Sequence, residues 1–331
     1  MVPDAILKEY DGKNVLVTGG SGLIGRQVID ILADTGASIR CISMDGLITN
    51  SKAENIVGNL ISLDFCKEIV RDMDYVFHLA GIQGTVQTSS SKLASHFTPT
   101  LMMNTNLLEA ARRQKVKKLV YTSSIGAYAE GPYLREDDDT IASTPMAFAG
   151  WAKRMAELQI HAYKVQYGID TFSTVRLSNI YGPGDNFDPA TAMVIPSLIY
   201  RILRGENPLR VWGDGTTIRD FLYCRDAAEG IILALHYGTP GRFINIASGK
   251  GHSIRDIIIA LNSFIEFDYL FDTSKPSGAP VRVMDISKAK ESLGFTPTTD
   301  LPTGLKNTWD WFVSHPDEYQ KKMNYFHSGM D

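Results

Sequence analysis

Apolar and polar positions alternate in two rhythms along the first 177 residues. Asn14–Thr18 (NVLVT) is short, apolar and β-branched, the pattern of a strand covered on both faces. Glycines follow at once. Then LIGRQVIDILADTG repeats its apolar positions at helical spacing and stops at Gly36. Further strands are predicted at Ser38–Ser43 (SIRCIS), Asn55–Leu60, Tyr75–Ala80 (YVFHLA), Lys118–Ser124 (KLVYTSS) and Thr171–Leu177 (TFSTVRL). Helices are predicted at Phe65–Asp72, at Pro99–Gln114 with Leu101, Asn104, Leu108 and Ala111 along one side, and at Pro145–Tyr167. Such alternation predicts an α/β fold, a doubly wound parallel sheet with helices on both faces.

After about Arg176 the rhythm breaks. Asn179–Pro189 (NIYGPGDNFDP) is rich in Gly, Pro and Asn and predicts a loop. Helices are expected at Ala192–Leu203, Arg225–His236, Ser253–Phe264, Ile286–Leu293 and Leu305–Ser314, mixed with short strands. The expected organisation is therefore residues 1–176 as one domain, with 222–250 returning to it, and 177–331 as a smaller, partly discontinuous mixed α/β C-terminal lobe. The Ser89–Ser91 and Asp137–Asp139 triplets fall in predicted loops.

Composition narrows the function. Among 331 residues, 33 Lys and Arg face 37 Asp and Glu, a net charge of −4. That gives no electrostatic ground for binding nucleic acid or an anionic membrane. The Arg112–Lys118 run (RRQKVKK) reads as a solvated helix end. Cys41, Cys66 and Cys224 form no CxxC pair, which excludes a disulfide scaffold and a zinc cluster and points to a reducing compartment. No apolar run approaches the ~20 residues that span a bilayer. Met1–Tyr10 lacks the apolar core of a signal peptide, so a cytoplasmic protein is expected. The seven histidines show no metal spacing, and His78, inside an apolar strand, is expected in the core.

The turn after the first strand carries the candidate chemistry. Gly19, Gly22 and Gly25 stand three apart in TGGSGLIG and join strand to helix. Gly19 permits the tight turn, Gly22 lets a pyrophosphate approach the backbone, and Gly25 lets helix and sheet pack closely. The phosphates would meet the N–H groups of Leu23 and Ile24 at the positive helix end. This is the dinucleotide signature of a Rossmann domain. Asp45, 20 residues past Gly25, is the candidate acid for the adenosine ribose and favours NAD over NADP. Ser43 stands closer to the usual place, and Arg40 is the candidate for a 2′-phosphate.

These segments resemble the extended short-chain dehydrogenase/reductase family of nucleotide-sugar epimerases and dehydratases. The likeness runs from about residue 13 to 313 through TGGSGLIG, HLAG (78–81), TSSIGAY (122–128), GWAKRMAE (150–157), RLSNIYGPGDNF, VWGDGTTIRDFLYCRD and INIASG. It implies that Leu79, Ala80 and Gly81 lie beside the cofactor and that Asn59 and Leu60 flank its adenine. It further implies that Lys153 holds the nicotinamide ribose and that Ser124 completes the catalytic hydrogen bonding, with Ser123 structural. Asn104 is expected beneath the site, bonded to backbone or simply in the core. Asn179, Arg219 and Arg282 are implied to bind the substrate's phosphates or sugar; a planar guanidinium suits phosphate oxygens. Helices 99–114 and 147–167 match those of a family homodimer, and surface-polysaccharide sugar synthesis is the implied setting.

The pattern departs from the family at Asn59, where its amide replaces the usual acid, and most consequentially at the catalytic tyrosine. The family's YxxxK tyrosine falls at 149, which is Ala149, and no tyrosine in the chain has lysine four residues later. A methyl group moves no proton. Either a tyrosine was replaced to trap a complex, or a natural protein has lost catalysis or borrows a donor; the intact flanking pattern favours the former. Ile125 and Gly126 stand where dehydratases carry an acid and a base, and Gly126 and Met193 stand where GDP-fucose synthases carry Cys and His. Dehydration and 3,5-epimerisation are thus excluded by the resemblance. Oxidation or reduction at C4 of a nucleotide-linked sugar remains, as a 4-dehydrogenase or 4-ketoreductase. A 4-epimerase is the alternative, and a catalytically dead dinucleotide sensor a further one. Val194, Leu198 and Arg201 match guanine-holding positions and imply a GDP-hexose or GDP-heptose.

Overall fold

The computed structural model describes residues 1–82, 91–275 and 278–323. Its centre is a seven-stranded sheet, every ladder parallel. The strands are β1 (Asn14–Thr18), β2 (Ser38–Ser43), β3 (Glu54–Val57), β4 (Tyr75–His78), β5 (Lys118–Ser124), β7 (Phe172–Leu177) and β11 (Ile244–Ile246), in the order β11-β7-β5-β4-β1-β2-β3. Both faces are covered, so the central strands are apolar throughout: Val15, Leu16 and Val17 are fully buried. One face packs α1 (Asp4–Leu7), α2 (Leu23–Leu32) and α7 (Cys224–Tyr237). The other packs α3 (Leu63–Val70), α4 (Leu93–Arg113) and α5 (Phe148–Tyr167). The strand order reverses between β1 and β4, which opens a crevice at their carboxyl ends.

The second lobe holds a five-stranded sheet of β12 (Gly251–Ser253), β10 (Ile218–Tyr223), β14 (Val281–Met284) and β6 (Tyr133–Leu134), with β8 (Asn179–Tyr181) also paired to β10. A two-stranded sheet joins β13 (Tyr269–Asp272) to β9 (Leu209–Trp212). Helices α6 (Val194–Leu203), α8 (Ile254–Asn262) and α10 (Leu301–Ser314) share one apolar core. Helix α9 (Ser287–Leu293) packs instead on the first core. The chain crosses between lobes more than once: β6 joins the small sheet and β11 the large one.

Several boundaries move. The start of 179–189, expected as loop, is strand: Asn179–Tyr181 pairs in parallel with Phe221–Tyr223 before Gly182 and Pro183 end it. Helix α4 begins at Leu93, with Pro99 inside it. Helix α5 begins at Phe148, not Pro145. Helix α10 begins four residues before the expected Leu305, where the Asp300 carboxylate accepts from the Thr303 N–H and caps it. Ser89 and Ser90 of the serine triplet lie outside the described residues. No described helix is long and apolar enough to cross a membrane.

The acidic triplet holds the largest surprise. Asp139 lies in a loop, as expected, but is buried. Arg154 reaches it at 3.0 Å, Arg176 at 3.3 Å and Arg242 at 3.1 Å, and Arg176 also pairs with buried Glu157 at 2.7 Å.

Candidate active site

The glycine turn lies on the crevice. Thr18 and His78 are paired across β1 and β4, so Gly19 and Leu79 start the two crevice walls side by side. Gly19 has φ +70°, and a Cβ there would stand 2.9 Å from the Ala80 backbone. A Cβ on Gly25 would stand 2.2 Å from the Gly19 carbonyl oxygen. Both positions therefore require glycine. Gly22 is the N-cap of α2 and offers no side chain to the first-turn N–H groups, which face the cavity edge at Leu23. This cradle fits a pyrophosphate.

One cavity runs from that turn past Ser43, Asp45, Asn59, Leu60, Leu79, Ala80 and Gly81. Ser43 donates to the Asp45 carbonyl at 2.6 Å, and the Asp45 carboxylate accepts from the Leu47 N–H at 3.3 Å through Oδ1, which leaves Oδ2 to accept from a ribose. Arg40 is turned away: it pairs with Glu54 at 2.9 Å and donates to the Ile69 carbonyl at 3.0 Å. The acid end of β2 thus fits NAD and offers no cation for a 2′-phosphate. Asn59 keeps its amide nitrogen for an adenine edge, since its Oδ1 accepts from Ile61 N–H at 3.0 Å.

A second cleft adjoins it, of about 460 Å³. Gly22, Ile24, Gly81, Ser124, Gly126, Ala149, Lys153, Asn179, Val194 and Phe221 line it. Gly150 explains the assembly: its backbone lies so close to the turn after β5 that a Cβ would stand 1.9 Å from the Gly126 carbonyl. The first turn of α5 is thereby seated beside Ser124, and Ala149 and Lys153, four apart, share one helix face.

Lys153 donates to the Thr122 carbonyl at 2.8 Å and lies 5.2 Å above the Tyr121 ring. Burial brings its ammonium down to about 8, and Glu157 opposes that shift. Between pH 8 and the ordinary lysine range the unfolded chain holds a proton that the folded one has shed, so this group adds stability as pH rises. The cofactor-free protein should therefore gain melting temperature relative to Lys153→Met between pH 7 and pH 10. Parallel pH curves for the two proteins would refute this.

Beneath the site runs a buried relay. Thr18 Oγ accepts from the Leu79 and Ala80 N–H groups and so donates to His78 Nδ1. His78 Nε2–H then meets Asn104 Oδ1 at 3.0 Å, and Asn104 donates to the Tyr121 hydroxyl at 3.0 Å. Burial holds His78 down to about 3, so it stays neutral and ties the glycine strand to α4. Asn104 is bonded to side chains rather than to backbone. Ser123 donates to Glu157 and is structural; the Ser124 hydroxyl accepts from Gly126 N–H at 3.2 Å and faces the cleft.

No tyrosine replaces the missing phenol among the described cleft residues. Tyr181 lines the cleft, but its hydroxyl packs at Gly304, where a Cβ would stand 2.2 Å away. Phe148 is 52% exposed and stacks edge-on with Phe97.

The implied substrate residues divide. Asn179 lines the cleft and donates to the Asp220 carbonyl at 2.9 Å. Arg219 and Arg282 are direct neighbours across β10 and β14. Arg219 is two residues before Phe221, hence on the same strand face. Burial and the Arg282 charge both lower Arg219's proton affinity, the situation an anion relieves. The guanine trio is not brought together. Val194 is on the wall, Leu198 is buried in the lobe core, and Arg201 pairs with Glu206 at 2.5 Å. Met193 lines the cleft without a titratable group. Among the described residues no cluster of His, Cys, Asp or Glu is arranged to hold a metal.

A model of the family described as "NAD dependent epimerase/dehydratase family" matches residues 15–247. The chain is 32% identical to a putative UDP-glucose 4-epimerase of Methanocaldococcus jannaschii over 312 residues, covering 91% of this chain and 99% of that one. It is 28% identical to a probable GDP-L-fucose synthase of Oryza sativa subsp. japonica, covering 95% and 96%. The crystal structure of UDP-glucuronic acid 4-epimerase from Bacillus cereus, in complex with UDP-glucuronic acid and NAD, superposes with TM-score 0.77 at 28% identity, covering 91% and 99%.

Proposed function

Because the chain belongs to the NAD-dependent epimerase/dehydratase family, with NAD as its cofactor, we propose that it acts at C4 of a nucleoside-diphosphate sugar, by 4-epimerisation. The observation that carries this is the second cleft. It places Lys153 and Ser124 beside the glycine turn, and it presents only Ile125, Gly126 and Met193 at the places where dehydration or 3,5-epimerisation would need an acid or a base. Bound NAD supplies a hydride acceptor and donor. Lys153 holds the nicotinamide ribose, Ser124 orients the C4 oxygen, and the Arg219–Arg282 pair clamps the diphosphate. Ala149 occupies the place of the proton-transferring phenol. The 4-epimerase relatives support a cycle that leaves NAD unchanged.

A second reading, net reduction or oxidation at C4 of a GDP-sugar, is favoured by the likeness to GDP-fucose synthase. A homodimer through α4 and α5 belongs to either reading. Met102, Phe148, Val165 and Tyr167 on those helices are exposed at 41, 52, 74 and 48%, apolar surface a second copy would cover.

The test is the Ala149→Tyr chain given UDP-, GDP- and dTDP-hexoses. Sugar conversion without change in nicotinamide absorbance establishes the epimerase. Net NADH change establishes the second reading. Silence with every sugar overturns both and leaves a dinucleotide sensor. In the active form, Arg282→Ala should raise KM for the sugar nucleotide roughly tenfold, the scale of one charge-assisted hydrogen bond. An unchanged KM would remove Arg282 from the substrate site.

A further inference from the structure

The dinucleotide cavity has a wall supplied by neither the glycine turn nor the second strand. Tyr319, Lys322 and Met323 line it together with Gly22, Asp45 and Asn59. They belong to a short helical turn, Glu318–Lys321, and the two residues after it, which return to the first lobe beyond α10.

This segment is pinned to the nucleotide-binding elements. Arg26, in the first turns of α2, pairs with Glu318 at 2.6 Å, and the two side chains are 8% and 17% exposed. Its guanidinium also lies 5.3 Å over the Trp311 ring of α10. Gly184, at φ +81°, is packed so tightly on Arg26 that a Cβ would stand 2.2 Å from Nε. Lys322 donates to the Gly184 carbonyl. Next to it Asp185 is 2% exposed, with Oδ2 buried and lacking a hydrogen-bond partner. Burial pushes this carboxyl up to about 7, against the pull of the Asn186 N–H and of Lys322.

Charge singles out one residue. Lys322 is the single lysine, arginine or histidine among the described residues lining this cavity. Arg26 is committed to Glu318. A pyrophosphate seated here would be met by the α2 N-terminus on one side and by the Lys322 ammonium on the other.

We propose that Lys322 contacts bound NAD and that Glu318–Met323 forms the outer wall of the site, so that the dinucleotide enters or leaves only when this segment lifts. The inference rests on NAD being the cofactor, and among the two C4 reactions it accords with the one that recycles NAD in place. It makes the cofactor a retained group, as recycling in place requires.

The measurement is release of etheno-NAD, a fluorescent analogue, from the full chain chased with excess NAD. Lys322→Met and Glu318→Gln should each release it roughly tenfold faster, one charge-assisted contact being lost. Lys322→Arg, which keeps the cation, should stay near the parent. Melting curves of the cofactor-free proteins identify any variant that fails to fold, and Glu318→Gln and Lys322→Met alter different contacts, so either alone decides. Release from both within twofold of the parent overturns the wall while leaving NAD binding intact. No binding of the analogue by the parent overturns the cofactor assignment and the wall with it.

Discussion

Ala149→Tyr should raise turnover on a confirmed sugar nucleotide by at least a hundredfold. The position faces the cleft in the first turn of α5, on the same helix face as Lys153. A phenol there would lie beside the ammonium, which stabilises the phenolate and brings the proton within reach of transfer at neutral pH. A positioned general acid or base contributes typically 10²–10⁴ in rate, or roughly 3–5 kcal/mol of barrier. The remaining parts need no rebuilding: Ser124 already faces the cleft, and Lys153 is fixed on the Thr122 carbonyl. Ala149→Phe separates chemistry from packing, since it fills the same space without a proton. Steady-state rates for the three forms decide the matter. Equal rates for Ala149 and Tyr forms, or an equal gain from Phe, would show that this position does not carry the proton.

How far the site was legible follows from how local its causes are. The glycine turn could be read directly, because Gly19 and Gly25 serve contacts made within the turn or with the strand's immediate neighbour. Lys153 was legible through the same kind of spacing. The guanine trio was not. Val194, Leu198 and Arg201 share a helix face by their i, i+4, i+7 spacing, but of the three only Val194 lines the cleft. Leu198 meets core while Arg201 meets Glu206, a partner five residues on whose role no spacing announces. The buried pairing of Asp139 was not legible for a related reason. In the chain it ends an acidic triplet; in the fold it receives arginines from positions 154, 176 and 242, each delivered by a different element. Long-range pairing leaves no periodic trace. The wall around Lys322 was missed likewise, its only sequence signal being Trp311 followed by a basic, aromatic tail segment.

That buried cluster carries the second large effect. Arg176→Met should cost roughly 3–5 kcal/mol of folding stability, the range for removing one partner of a buried ion pair. Arg176 is fully buried and serves two carboxylates, Glu157 at 2.7 Å and Asp139 at 3.3 Å. Its guanidinium also stacks 3.6 Å from the Phe243 ring centroid and 4.2 Å from that of Tyr128. Methionine replaces part of the volume but none of the charge. Glu157 is left with the Ser123 hydroxyl, and Asp139 with Arg154 and Arg242, in a dry interior. The effect extends beyond stability, because Ser123 precedes Ser124 on β5 and Glu157 is one helical turn from Lys153. Loosening Glu157 therefore loosens both cleft residues at once. Urea denaturation measures the first effect as a lower midpoint at an unchanged slope. The second is read as weaker etheno-NAD binding under conditions where the variant is still folded. A midpoint within the error of the parent would show that the arginine's desolvation already cancels its pairing. The cluster would then be neutral ballast rather than the brace that sets β5 against α5.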